Sequence, residues 1–179
     1  LETIPGVVTI DKLSTREKMS SIKKIATLAA VALITGCGGG GDGSAPQSAS
    51  MTIQGDAMKG PMAKAKISLY KTTADGKQGE LLKETTSDGS GHYNAAVANY
   101  SGVVIAVASV VPGTTMYDEA TGQNIPPTAA FSMRASFSVE AGKSYTAQIN
   151  PFTDLATASA LGKAGGLNAA NVAQAKKDM

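Results

Sequence analysis

The sequence predicts a mainly β domain: a seven-stranded antiparallel β-sandwich over residues 51–149, followed by a short helical segment over 150–179. Three observations carry this. Apolar and polar residues alternate with period two in most segments after Met51, Asp75-Gly76 and Asp88-Gly89 supply turns, and after Asn150 the apolar spacing changes to i, i+3, i+4, i+7. The chain has 179 residues, enough for one ordinary domain with attachments. Alanine accounts for 29 of them, so much of the 42% hydrophobic fraction is methyl surface and the large core residues are few.

Taken in order, the first strand is Thr52 to Gly55. In Lys64-Ala65-Lys66-Ile67-Ser68-Leu69 the alanine, isoleucine and leucine share one face. Leu81 to Thr86 is a shorter strand, and His92 to Val97 turns Tyr93, Ala95 and Val97 inward. Val103 to Val111 is a continuous β-branched and alanine run, the pattern of a central strand covered on both faces. From Phe131 to Val139 the inward set is Phe131, Met133, Ala135, Phe137 and Val139. The turn Glu140-Ala141-Gly142-Lys143 then leads to a return strand with Tyr145, Ala147 and Ile149 inward, so these two strands are expected to form a hairpin. Pro151 suits a first helical turn, with Phe152, Leu155, Ala156 and Ser159 as the helix's apolar stripe. Gly162 and Gly165-Gly166 break this helix, and Asn168 caps a second one with Leu167 and Val172 as a hydrophobic staple. The second helix runs to Met179 without a cap, so the chain is expected to be truncated there.

The stretch from Gly55 to Tyr70 and the run Thr85-Thr-Ser-Asp-Gly-Ser-Gly-His-Tyr93 resemble the carboxypeptidase regulatory-like group of transthyretin-like sandwiches. Gly60, Pro61, Ala65 and the turn Asp88, Gly91, Tyr93 match that group's pattern. Ser87 departs from it where threonine is commoner, and Lys64 where glycine is. The resemblance covers about forty residues and implies a transthyretin-like/Ig-like sandwich. A later pair of motifs, Tyr117-Asp-Glu-Ala-Thr-Gly122 and Asn150-Pro-Phe-Thr-Asp-Leu-Ala156, resembles a proteobacterial lipoprotein subgroup.

The opening segment points to a destination. From Met19, Lys23 and Lys24 form a positive region, Ile25 to Ile34 an apolar run of ten, and Ile34-Thr35-Gly36 place small residues before Cys37. A ten-residue helix spans about 15 Å against a hydrocarbon core of about 30 Å, so the run is a signal peptide rather than a membrane span. Its ending resembles the lipobox of bacterial lipoproteins. The resemblance implies that the Cys37 thiol receives a diacylglycerol, that a signal peptidase cuts between Gly36 and Cys37, and that the new amino group is acylated. Two or three chains anchor a protein stably where one does not. Residues 1–18 are read as an over-long gene prediction with initiation at Met19, the alternative being a genuine extension. Residues 37–50 form a Gly/Ser-rich tether whose typical reach is about 20 Å. Gly38 is not aspartate, which in Gram-negative lipoproteins implies the outer membrane.

Composition excludes several functions. One cysteine and one histidine leave no disulfide scaffold, no thiolate zinc cluster and no two-histidine chemistry. Removing residues 1–36 takes five of sixteen basic and three of fourteen acidic residues, leaving eleven of each. A net charge of zero gives no steering toward nucleic acid. His92 lies on the outer face of its strand with no nucleophile placed by motif, and reads as an ordinary exposed histidine. Asp88-Gly89-Ser90-Gly91 offers too few oxygens for calcium and reads as a tight turn. Asp118 and Glu119 are adjacent and would face opposite ways on a strand. Lys66 and Asn150 are candidates for an isopeptide bond, and Tyr70, Tyr93, Tyr100, Tyr117 and Tyr145 for a sugar-stacking platform, although Tyr93 and Tyr145 read as core. The expectation is a non-enzymatic, lipid-anchored envelope protein that needs no cofactor. Its sandwich serves as an interaction or spacer module, or alternatively binds carbohydrate or peptidoglycan.

Overall fold

The computed structural model describes residues 50–179. The signal segment, the cleavage pair Gly36 and Cys37 and the tether up to residue 49 lie outside the described residues. The described part is mainly β, with two short helices at its end. The strands are β1 (Ser50–Asp56), β2 (Met62–Ala63), β3 (Lys66–Thr72), β4 (Gln78–Thr86), β5 (His92–Ala98), β6 (Gly102–Ser109), β7 (Thr115–Asp118), β8 (Gln123–Ile125), β9 (Ser132–Val139) and β10 (Tyr145–Thr146). The helices are α1 (Pro151–Leu161) and α2 (Ala169–Lys177). A four-stranded sheet has the order β4-β3-β6-β9, a three-stranded sheet β10-β1-β5, and a small third sheet β2-β7-β8.

The first two sheets share one apolar core. Ile53, Ile67, Leu69, Tyr93, Val104, Met133, Phe137 and Ile149 are among its buried members. The period-two pattern explains this most directly on β1 and β5, where every second side chain is buried. Strand β6 is covered on both faces, as its unbroken apolar run predicts. Val104, Ala106 and Ala108 enter the shared core, whereas Val103 and Ile105 enter a second core with Ala156, Ala160, Leu167, Val172 and Ala175 of the helical segment.

Among the described residues, ten strands in three sheets stand where seven strands were expected, the three additional ones being the two- to four-residue strands β2, β7 and β8 of the small sheet. Two further expectations need correction. The strand after Glu140 does not return beside β9. β9 pairs antiparallel with β6, while Tyr145 and Thr146 of β10 pair in parallel with Ile53 and Gln54 of β1. The Glu140 turn therefore carries the chain from one sheet to the other. Ala147 and Ile149 still point inward, because either sheet offers them the same core. The apolar stripe of α1 is also rotated from the expected one. Ala156, Thr157 and Ala160 are buried, whereas Phe152 is 72% and Leu155 59% exposed. The surface that α1 covers explains this. β9 presents Arg134 and Ser136 there, and Arg134 Nε lies 2.9 Å from the Asp154 carboxylate. The Thr157 hydroxyl donates to the Thr153 carbonyl at 2.8 Å and lies 3.2 Å from Ser136 Oγ. Small residues allow that close polar approach; phenylalanine and leucine would hold the helix off.

Caps fix both helices where the sequence placed them. Asn150 accepts from the Thr153 amide and the Thr153 hydroxyl accepts from the Asn150 amide, a capping box with Pro151 at the first turn. Asn168 caps α2 through the Asn171 amide, and Leu167 and Val172 are both buried. The loop between the helices docks on the β3–β4 turn, where the Leu167 amide donates to the Gly76 carbonyl at 2.8 Å. Gly76 has φ +72, and a Cβ there would lie 2.3 Å from the Gly165 carbonyl oxygen, so only glycine permits the contact.

Lys64 sits at φ 58, the sole non-glycine residue in the left-handed region among the described residues. This is the position where the resembling group favours glycine. A side chain in that region costs about 1 kcal/mol. Lys64→Gly is therefore expected to raise stability by about 1 kcal/mol, less any added freedom of the unfolded chain. Urea unfolding with an unchanged slope checks it; a loss of stability would contradict the assignment.

Candidate functional site

Two places gather side chains capable of recognition. The first is the polar end of the three-stranded sheet. Asp56 closes β1 opposite His92 on β5, and its carboxylate lies 3.0 Å from His92 Nδ1. The Gln148 amide nitrogen, just beyond β10, donates to the other Asp56 oxygen at 2.9 Å. One carboxylate thus ties together residues from or beside three neighbouring strands. The Gln148 hydrogen bond is the larger cause, and that from His92 the next, holding the Asp56 carboxyl below its ordinary range. Stability that this depression contributes is present above the unfolded carboxyl value of about 3.9 and is lost as pH falls through the lower folded value. Asp56→Asn is expected to lower stability at neutral pH and to flatten the stability–pH curve in the acid range below about pH 4. Parallel acid-limb curves for the two proteins would contradict this.

The adjoining turn is structural. Asp88 Oδ1 accepts from the Ser90 amide at 2.8 Å, the Ser90 hydroxyl at 2.7 Å and the His92 amide at 2.9 Å. This one oxygen thereby closes the tight turn that the sequence predicts. Among the described residues, no group of three or more His, Cys, Asp or Glu is placed to hold a metal ion. His92 is exposed on the outer face, as predicted, and its Nδ1 faces the Asp56 carboxylate.

The second place is an open groove of about 600 Å³ on the small sheet, lined by Lys59, Met116, Tyr117, Asp118, Glu119 and Ile125. The β7–β8 hairpin builds it, with Met116 opposite Ile125 and Asp118 opposite Gln123. Asp118 is spent on that turn, accepting from the Ala120 amide and the Thr121 hydroxyl. The chain reading missed this sheet because its strands are two to four residues long, too short for alternation to register.

The tyrosines do not converge. Tyr93 is buried, with its hydroxyl donating to the Ala147 carbonyl at 2.5 Å, and burial pushes the phenol well above its usual range. Tyr145 is half-buried against the shared core and its hydroxyl accepts from the Glu140 amide. Tyr70 packs on the second core, and Tyr100 lies beneath the Lys71 ammonium. Tyr117 is the one large exposed aromatic of this set, at 38%. Lys66 and Asn150 are likewise not brought together: Lys66 pairs with Glu84 across β3–β4, and Asn150 caps α1.

No known family pattern matches the chain, and no curated protein does. Among solved structures it is similar to a DUF3823 family protein from Parabacteroides merdae, with TM-score 0.33 and 10% identity, over 59% of this chain and 48% of that one. A 9R-lipoxygenase from Cyanothece gives TM-score 0.33 and 10% identity, over 54% of this chain and 16% of that one. Catechol 1,2-dioxygenase from Pseudomonas arvilla C-1 gives TM-score 0.28 and 15% identity, over 63% and 57%. The chain thus spans about half the length of the first of these and less than two thirds of the others. None of these likenesses carries a residue's role across to this chain.

Proposed function

We propose that the chain is a lipid-anchored protein of the bacterial cell envelope, held at the outer membrane by acyl groups on Cys37. In this reading residues 37–50 space a transthyretin-like β-sandwich from the lipid, and the sandwich acts as an interaction or spacer module without catalysis. One observation carries it: Lys23-Lys24, a ten-residue apolar run and Ile34-Thr35-Gly36-Cys37 follow in the order that lipidation and cleavage require. The mature chain has no net charge to draw it to nucleic acid, so the membrane is its first partner, through lipid rather than through a span. Two sheets sharing one core favour the sandwich assignment.

Fractionation tests the anchor. The wild-type protein is expected in the membrane fraction and resistant to high-salt and carbonate washing, with Cys37→Ala released or retained only as uncleaved precursor. Equal release of both proteins in mature form would overturn the reading. A second reading, a carbohydrate- or peptidoglycan-binding module, is favoured by the groove whose lining brings the exposed Tyr117 together with Lys59, Asp118 and Glu119.

A further inference from the structure

Each of the two main sheets ends in an open strand edge, and the two edges flank one pocket. β9 ends the four-stranded sheet, β10 ends the three-stranded one, and the two strands share no hydrogen-bonded ladder. On β9 the Arg134 amide donates to the Asp154 carboxylate at 3.0 Å and the Arg134 carbonyl accepts from the Thr153 hydroxyl at 3.1 Å, so both groups point away from β6. Antiparallel alternation turns the amide and carbonyl of Ser136, two residues on, the same way. Beside β1, the Ala147 and Ile149 amides donate to the Gln54 and Asp56 carbonyls. Thr146 and Gln148 alternate with them and turn their backbone groups away from β1.

The pocket between these edges has a volume of about 190 Å³, with Ser136 on one side, Thr146 and Gln148 on the other, and Lys176 of α2 beside them. It is short. α1 closes one end by holding Arg134, and the Tyr145 hydroxyl closes the other by accepting from the Glu140 amide at 2.6 Å. A strand running through has no passage, and a volume of about six waters suits the end of a chain. Among the described residues Lys176 is the one charged group in the lining, with no carboxylate there to meet it. Its ammonium enters no ion pair among the described residues, and partial burial pulls its pKa down, a penalty that an incoming carboxylate relieves. Backbone donors and acceptors on two facing edges fit a peptide, and the ammonium fits a terminal carboxylate. Ala135 and Ala147 offer methyl surface to small side chains.

We propose that this pocket receives the C-terminal end of a peptide with small side chains, its carboxylate on Lys176 and its last peptide groups bonded to the open edges at Ser136, Thr146 and Gln148. The inference goes beyond the anchor reading and does not depend on it, since fractionation tests the one and a titration the other. The full mature protein, in detergent micelles or from whichever fraction holds it, is titrated with trialanine, with trialanine amide and with acetate, each to about 10 mM. Trialanine is expected to shift the amides of residues 135–137 and 146–148, with trialanine amide roughly tenfold weaker and acetate also weaker than trialanine. Lys176→Met is expected to weaken trialanine roughly tenfold while leaving its amide unchanged. Lys177→Met, outside the pocket lining, is expected to change neither. Thermal melts show that each variant is folded, and the comparison of acid with amide on the wild-type protein needs no variant. Absence of shifts with trialanine, shifts confined to another surface, equal affinity for acid and amide, or unchanged affinity in folded Lys176→Met would each overturn the proposal. So would acetate binding as tightly as trialanine, which would assign the pocket to a small anion instead.

Discussion

Ser87→Ala is expected to cost about 3 kcal/mol of folding stability, with an unchanged denaturant slope. Ser87 is 3% exposed, and its hydroxyl satisfies two backbone groups at once. Oγ accepts from the Ala65 amide at 2.9 Å and donates to the Met62 carbonyl at 2.6 Å. Both partners lie where the chain leaves the small sheet and enters β3, and Ala65 and Met62 are themselves fully buried. Alanine removes the hydroxyl and leaves a donor and an acceptor without water, each costing about 1–3 kcal/mol. Ser87→Thr keeps the hydroxyl and is the control, matching the residue commoner in the resembling group. Urea unfolding checks both; a loss below about 1 kcal/mol in Ser87→Ala would mean that water replaces the hydroxyl.

Gly55→Ala is expected to be at least as damaging, for a different reason. A Cβ at Gly55 would lie 2.0 Å from the Ala147 carbonyl oxygen and 2.7 Å from its carbon. Both are backbone atoms, so no side chain rotates away and β10 must move off β1. That displacement strains the Ala147 amide bond to the Gln54 carbonyl at 2.8 Å and the Tyr93 hydroxyl bond to the Ala147 carbonyl. Over-packing of this kind costs about 1–3 kcal/mol, and loss of the buried tyrosine's partner adds about 1 kcal/mol or more. Amide exchange is the discriminating readout: protection is expected to fall first at residues 145–149 and 54–56 while β6 and β9 remain protected. Wild-type protection at Ala147 and Ile149 would contradict the parallel pairing.

Two of the corrected expectations have one cause, which is that local pattern carries no information about which neighbour a strand meets. Tyr145, Ala147 and Ile149 alternate inward whether the strand returns beside β9 or crosses to β1. The Glu140 to Lys143 turn closes locally, with the Lys143 amide donating to the Glu140 carbonyl at 3.3 Å. What separates them is Gly55, which lets β10 approach β1, and that close contact leaves no mark in a period-two reading. Likewise Phe152 and Leu155 look like a helix's buried face by hydropathy alone. The face that β9 offers is Arg134 and Ser136, and it selects Asp154, Thr153 and Thr157 by hydrogen bonding.

Other features were legible because their signals are local by nature. Asn150 with Thr153, and Asn168 before Ala169, are caps whose chemistry operates within four residues. The continuous run of β6 announced cover on two sides, and the helical segment supplies the second cover through Leu167 and Val172. The groove was only half legible: Asp118 and Glu119 stood out as carboxylates, but the hairpin that sets Tyr117 beside Lys59 needs the pairing of β7 with both β2 and β8.

The central claim is that Cys37 becomes the lipid-bearing first residue of the mature protein. Intact-mass measurement of the protein made from its native locus, with peptide mapping of its amino terminus, tests that claim most directly. The account predicts a mature chain beginning at Cys37 and heavier than its polypeptide by a diacylglycerol, with a further acyl group on the amino terminus. Cys37→Ala should lack both the added mass and the cleavage at residue 36. A wild-type amino terminus at any other position, or an unmodified Cys37 thiol in the mature protein, would contradict it.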